Sequence, residues 1–327
     1  MPVGNSDNGV GLWAGQVMFA LDNTNQYIDW WHESLPGEKV VGSNKTFEHE
    51  GTLSSVIINP KITIGLTNYW NITLSQSLGN RYMNWSGDTT TIHHRDEGTQ
   101  TDFINAIGGW MGDTRVTMRY LIFNDGAGNG KRFFVGTGLV IPSKSTLTFD
   151  PFFLNGEQKK EHRHFSLSEG VYKWVLETQI FKKRSSNPVF FGGTLTSEFP
   201  LNESKYGFKA SQIHSVSLNA LTKSIEKINA SLGFRADLRY STKAFWNEIE
   251  SPNSEAIILT LGGGGLWSFS SGVLGLNIGK PFFLSGAFAG IESEGEQGQK
   301  VNTWSLSISF RKVFDFVIPW LDPLKNL

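Results

Sequence analysis

Residues 229–241, NASLGFRADLRYS, decide the fold of this chain. Ala230, Leu232, Phe234, Ala236, Leu238 and Tyr240 alternate with Ser231, Gly233, Arg235, Asp237 and Arg239. A period of two puts successive side chains on opposite faces of a strand, so one face is greasy and the other charged. The run 303–311 repeats the pattern, with Trp304, Leu306, Ile308 and Phe310 set against Thr303, Ser305, Ser307, Ser309 and Arg311. A soluble sandwich gives the same alternation in any one strand. Its recurrence over most of 327 residues, between connections of unequal length, is the pattern of an all-β, transmembrane, antiparallel up-and-down β-barrel with lipid outside and a wet lumen inside.

The alternation predicts twelve strands, near 13–21, 51–66, 69–78, 114–124, 132–141, 171–182, 189–199, 208–222, 228–241, 256–267, 272–280 and 301–312. Thr67-Asn68 and segments 125–131, 183–188, 223–227 and 268–271 make short turns. Segments 22–50, 79–113, 142–170, 242–255 and 281–300 make long loops, and 200–207 is intermediate. Short and long alternate around the chain. In outer-membrane barrels the short turns face the periplasm and the long loops face outside. Residues 1–312 are therefore expected to form one barrel domain. The apolar tail 313–327, VFDFVIPWLDPLKNL, follows on the periplasmic side; it plugs that mouth, binds a partner, or extends the last strand to Phe316. Pro60 lies inside a strand and lacks a ladder donor, which predicts a bulge or a break. Gly262–Gly265 suggest a bend where a kinked wall would admit a hydrophobic solute sideways into lipid.

Composition narrows the classes. With 29 basic and 30 acidic residues the net charge is −1, which argues against nucleic acid as a partner. No apolar run approaches the roughly 18 residues of a spanning helix. Gly at 36, Phe at 24 and Trp at 11 suit strands with aromatic girdles. The absence of cysteine excludes disulfides, thiolate metal sites and Cys nucleophiles together. Met1–Gly11 has neither the basic nor the apolar region of a signal peptide. The expectation is a bacterial outer-membrane protein whose leader has been removed.

The inward rows supply the candidate solute-lining residues: Lys61, Arg115, Arg119, Lys173, Glu177, Arg235, Asp237, Arg239 and Arg311. An Arg on the lipid face at mid-depth costs about 2–4 kcal/mol, so these charges fix the orientation of each strand. They either tune solute passage or pair with one another across a closed interior. Loop aromatics (Tyr27, Trp30, Trp31, Phe282, Phe283 and Phe288) either line a site for an apolar solute or fold onto the rim as a belt.

Two histidine clusters need a reading. His93, His94, Asp96 and Glu97 form one, and Glu161, His162 and His164 the other. Neither has a helical ligand spacing such as HExxH, so both read as solvated loop charge, with a divalent metal as the lesser alternative, and no cofactor is expected. His164-Phe165-Ser166 has the His-x-Ser spacing of the outer-membrane phospholipases, which are also twelve-stranded barrels. Leu167-Ser168 replaces the Asn-Gly of that family, and no catalytic residue is assigned.

The middle of the chain resembles a known group. Gly108-Gly109-Trp110-Met111-Gly112-Asp113-Thr114 leads into Arg115–Phe123, followed by Phe134–Pro142 (FVGTGLVIP) and Phe190–Pro200. Over roughly 105–225 this is similar to the outer-membrane family associated with the meta-pathway of phenol degradation, itself similar to long-chain fatty-acid and toluene channels. Ser143-Lys144 departs from the Thr-Gly of that pattern, and no N-terminal plug sequence of the fatty-acid channel kind is visible. The resemblance implies passive uptake of small, often hydrophobic molecules. The expected partners are membrane lipid and a small-molecule solute. The alternatives are a non-transporting barrel that holds a protein partner through its tail or loops, and a lipid hydrolase.

Overall fold

A computed structural model describes residues 2–32, 49–86, 96–125, 129–151, 162–251, 254–286 and 299–322. The wall consists of twelve long strands: β1 (Gln16–His32), β2 (His49–Gly65), β3 (Trp70–Ser86), β4 (Met111–Asn124), β5 (Gly130–Ile141), β6 (Lys173–Lys183), β7 (Phe190–Pro200), β8 (Ile213–Ile225), β9 (Ala230–Ser241), β10 (Ala256–Phe269), β11 (Gly272–Ser285) and β12 (Gln299–Val317). Each pairs antiparallel with the next. β12 returns to β1, from Gln16↔Val317 to His32↔Gln299, and the sheet closes. Closure leaves no strand edge, the condition for a sheet to stand in hydrocarbon.

The expected faces are the observed ones. Leu218, Leu232, Phe234, Leu238, Leu306 and Ile308 are 36–56 % exposed on the outer surface. Their neighbours Asn219, Thr303 and Ser309 are buried within the lumen. Exposed aromatics gather at both ends of this apolar band. Tyr27, Tyr82, Trp174, Tyr240, Phe282 and Trp304 lie toward the long loops, and Trp13, Tyr69, Phe123, Phe269 and Phe316 toward the short turns. Tyr27 and Phe282 thus belong to a belt on the wall, not to a loop, whereas Trp30 packs edge-on against Trp85, with ring centroids 4.9 Å apart.

Three strands run further toward the long loops than their alternation predicts. The outward residues of β1 beyond Leu21 are Asn23, Asn25, Tyr27 and Asp29, and those at the end of β3 are Asn80, Tyr82 and Asn84. Polar residues on both faces erase the hydropathy signal while the hydrogen-bond ladder continues. On β11, Pro281 hides a pairing that runs on to Ser285.

One wall feature differs from expectation and two agree. The tail takes the last of its three expected courses: residues up to Val317 continue β12, and the Ile318 amide donates to the Gly15 carbonyl at 2.8 Å. The glycine run opens no window. Gly262–Gly265 pair in unbroken register with β9 and β11. A Cβ on Gly264 would sit 1.8 Å from the Leu276 carbonyl oxygen, so this glycine permits close strand approach. The break at Pro60 is present. Between Ile58↔Leu78 and Lys61↔Ser75 no β2–β3 pair forms, and the Gln76 side chain donates instead to the Gly112 carbonyl at 2.6 Å.

The long-loop segments carry short strands of their own. Phe208–Lys209, Phe245–Trp246 and Ile249–Glu250 form a small sheet, and Ala106–Ile107 pairs with Thr146–Leu147.

Candidate functional site

All nine charged candidates point inward, but they fall into two groups. The first group is occupied by the chain itself. Residues 2–12, which precede β1, are not part of the wall; they run inside the barrel, whereas Gly15 already bonds to the Gly65 carbonyl and the Ile318 amide and Trp13 lies exposed at the short-turn rim. Asp7 is the centre of this internal plug. Its carboxylate meets Lys61 Nζ at 2.5 Å and Arg119 Nη2 at 2.7 Å. Lys61 also meets Asp22 at 2.7 Å, and Arg119 meets Glu177 at 2.5 Å. Burial alone would raise the Asp7 carboxyl, but Lys61, Arg119 and their hydrogen bonds together hold it well below the usual carboxylate range.

The plug's backbone is bound as well. Arg235 Nη1 donates to the Gly4 carbonyl at 2.6 Å and Arg311 Nη1 to the Ser6 carbonyl at 3.4 Å. The Ser6 amide donates to Asp22 at 3.0 Å, and the Gly9 amide to Gln179 at 2.9 Å. Asn8 donates to the Thr194 hydroxyl at 3.1 Å. Apolar contacts flank these polar ones. Val3 packs with the inward Leu221 and Leu266, and Leu12 with Met18 and Ala20. These inward apolar residues run against simple alternation, and the plug is what removes them from water. Gly233 makes room: a Cβ there would lie 2.5 Å from a Val3 methyl.

The second group lies toward the long loops. Arg115 and Lys173 share Glu198, the first in a close ion pair and the second at 3.7 Å. Lys173 also meets Glu169 at 2.5 Å. Asp237 pairs with Arg235 at 2.6 Å and so links the groups. Arg239 makes neither a hydrogen bond nor an ion pair among the described residues, and it faces an outer cavity of about 350 Å³. That cavity is also lined by Arg81, Phe165, Ser166, Phe208, Trp246 and Ser254. A polar cavity of about 300 Å³ lies over Asp7, between Lys61, Arg115, Arg119 and Thr196. A third, of about 970 Å³, lies at the short-turn mouth, lined by Leu12, Trp13, Tyr69, Leu121 and Phe123. The lumen is thus a series of spaces interrupted by the plug.

The histidine clusters are only partly visible. His93, His94 and Glu161 lie outside the described residues. His164 Nδ1 is 2.8 Å from the buried Glu97 carboxylate, and Glu97 also accepts from the His164 amide at 2.9 Å. The Ser166 hydroxyl donates to the Ser168 carbonyl at 2.6 Å, and the segment is irregular, not a strand. The spacing therefore does not put His164 and Ser166 on one strand face as a Ser–His pair would need. Burial depresses the nearby Arg163 guanidinium, against the pull of Glu97 and Asp102. Arg163 lies 5.5 Å over the Phe103 ring, a structural cation–π contact in the loop.

The sequence reading missed the plug. Val3, Gly4, Ser6, Asp7, Asn8 and Gly9 have no periodicity, because the segment fits its site by hydrogen bonds and one carboxylate. A signal was present nonetheless. The nine inward candidates hold seven cations against two anions, and Asp7 is the single acid before Asp22.

No protein-family model matches the chain, and none of the curated proteins does. Among solved structures it is similar to the COG4313 outer membrane channel from Pseudomonas putida F1, at 12 % identity and TM-score 0.60, over 95 % of this chain and 100 % of that one. It is more distantly similar to the P. putida toluene transporter TodX, at 11 % identity and TM-score 0.41, over 93 % and 91 %. The first likeness shows the fold, which the two chains share over nearly their whole lengths.

Proposed function

We propose that this protein is a bacterial outer-membrane channel for passive uptake of small hydrophobic or aromatic molecules, closed at rest by residues 2–12. The observation that carries the reading is that the plug, not the wall, interrupts the lumen. Residues 3–9 are held by wall side chains, through hydrogen bonds, ion pairs and packing on the inner face, and not by the strand-to-strand ladder, so their displacement leaves the ladder intact. Aromatic and apolar surface at both mouths supports an apolar or aromatic solute: Phe165, Phe208 and Trp246 at one end, Trp13, Tyr69 and Phe123 at the other. The function of the similarly folded P. putida channel fits this reading. Passage needs no catalytic residue; the inward charges and the outer-mouth aromatics act by binding and by field.

The test is liposome swelling with benzyl alcohol as the solute. Liposomes containing the protein should swell faster than protein-free ones, and a variant without residues 2–11 faster still. Rates equal to protein-free liposomes for both proteins would refute the channel reading.

A further inference from the structure

The outer cavity has a composition that an uncharged hydrocarbon would not need. Arg81 on β3 and Arg239 on β9 both line it, near enough to repel each other. Arg81 donates one bond, to the Ser166 carbonyl at 2.8 Å. Arg239 makes no hydrogen bond or ion pair among the described residues and feels Glu198 only at longer range, although the rest of the inward cations find carboxylates or plug carbonyls directly. The carboxylate on the lining, Glu169, lies 2.5 Å from Lys173, which is already bound toward Glu198. The cavity therefore holds two guanidiniums, and the carboxylates they sense, Glu169 and Glu198, are bonded to Lys173 and Arg115 instead.

Its other wall is of a different kind. Phe208 and Trp246 pack with ring centroids 4.8 Å apart, and Phe165 lies on the same lining. The buried Ser254 hydroxyl accepts no hydrogen bond there, and its backbone carbonyl accepts from Ser241 at 3.0 Å. A volume of about 350 Å³ falls at the lower end of the range for small-molecule sites.

We infer that this cavity is a capture site for aromatic carboxylates, with the carboxylate held between Arg81 and Arg239 and the ring against Phe208 and Trp246. Arginine presents planar paired donors that match a carboxylate, and the low-dielectric aromatic wall strengthens that pairing. An inorganic anion would use the arginines and leave the aromatic wall uncovered. A neutral arene would cover the wall and leave two like charges facing each other.

The inference deepens the uptake reading and rests on it, so the experiment separates the two. Binding of 2-naphthoate to the purified full chain in detergent is followed by its fluorescence, with naphthalene-2-methanol and inorganic phosphate as comparators. The unmodified protein should bind 2-naphthoate at least about tenfold tighter than either, and Arg239→Gln should lose about tenfold. Arg239 is exposed and makes no direct bond, so this variant should keep its unboiled gel mobility. Lys243→Gln, at an exposed pair with Glu250 outside the cavity lining, should bind normally. Equal binding of the alcohol, equal binding of phosphate, or undiminished binding by Arg239→Gln would each overturn the inference. Benzyl alcohol swelling is measured on the same Arg239→Gln protein. If it persists while naphthoate binding is absent in the unmodified chain, the capture site is wrong and the channel reading stands. If both are absent, both are wrong.

Discussion

The two ends of the lumen use the same residue types for opposite ends. Around Asp7 the inward cations are saturated: Lys61 and Arg119 hold carboxylates at 2.5–2.7 Å, and Arg235 and Arg311 hold plug carbonyls. In the outer cavity Arg239 is open and Arg81 is bound by a single carbonyl. A buried charge is tolerated when it is paired and bonded, and it then rigidifies what it touches. A charge facing a wet cavity costs little and stays available to a visitor. Pairing to residues 2–12 therefore marks the region that holds the chain, and the absence of a direct bond at Arg239 marks the region that meets solute.

Removing the central anion should have the largest effect. Asp7→Asn leaves Lys61 and Arg119 short of one buried counter-charge, and breaking a buried pair costs about 3–5 kcal/mol. Part of that cost is relieved by the plug leaving, so single-channel recordings should show open time rising by about two orders of magnitude. Gly233→Val should act next. Its side chain would overlap Val3, and overpacking costs about 1–3 kcal/mol. Open time should rise by about tenfold with heat stability of the barrel unchanged. Arg239→Gln should behave in the contrary way. Open time should stay constant, while planar-bilayer reversal potentials shift toward cations, most clearly at low salt, because only exposed charges are strongly screened.

Acidity should have the smallest effect. The docked Asp7 carboxyl titrates well below an undocked one, whose ordinary value is about 3.9. A depressed pKa contributes stability above the undocked value and loses it only as pH falls through the docked one. Closure should therefore be constant from pH about 8 to about 5, and loosen only in strong acid. Opening midway through that range, in bilayer recordings at fixed salt, would remove Asp7 from the clamp.

The wall was legible in the sequence because lipid imposes a rule on every second residue. Leu232, Phe234, Leu306 and Ile308 obey it, and the nine charged candidates follow by elimination. The rule lapses where the wall leaves hydrocarbon, which is why the alternation stops at Leu21 in β1 and Leu78 in β3 while the strands run on. It is silent about the plug, since Gly4, Asp7 and Gly9 are recognised by individual donors and acceptors spread from β1 to β12. It also misassigned the glycine run. Gly262–Gly265 answer to strand spacing, a constraint that only the paired backbone of β11 reveals. Half of the candidate site was thus visible as a list of inward residues, and its division into bound and free groups was not.

Single-channel conductance of the full chain against a variant lacking residues 2–11 tests the central claim most directly. The account predicts a mostly silent full chain and a steadily conducting variant, with matching heat-shift behaviour on gels. Equal conductance from both proteins would contradict it, and would mean that residues 2–12 rest in the lumen without closing it.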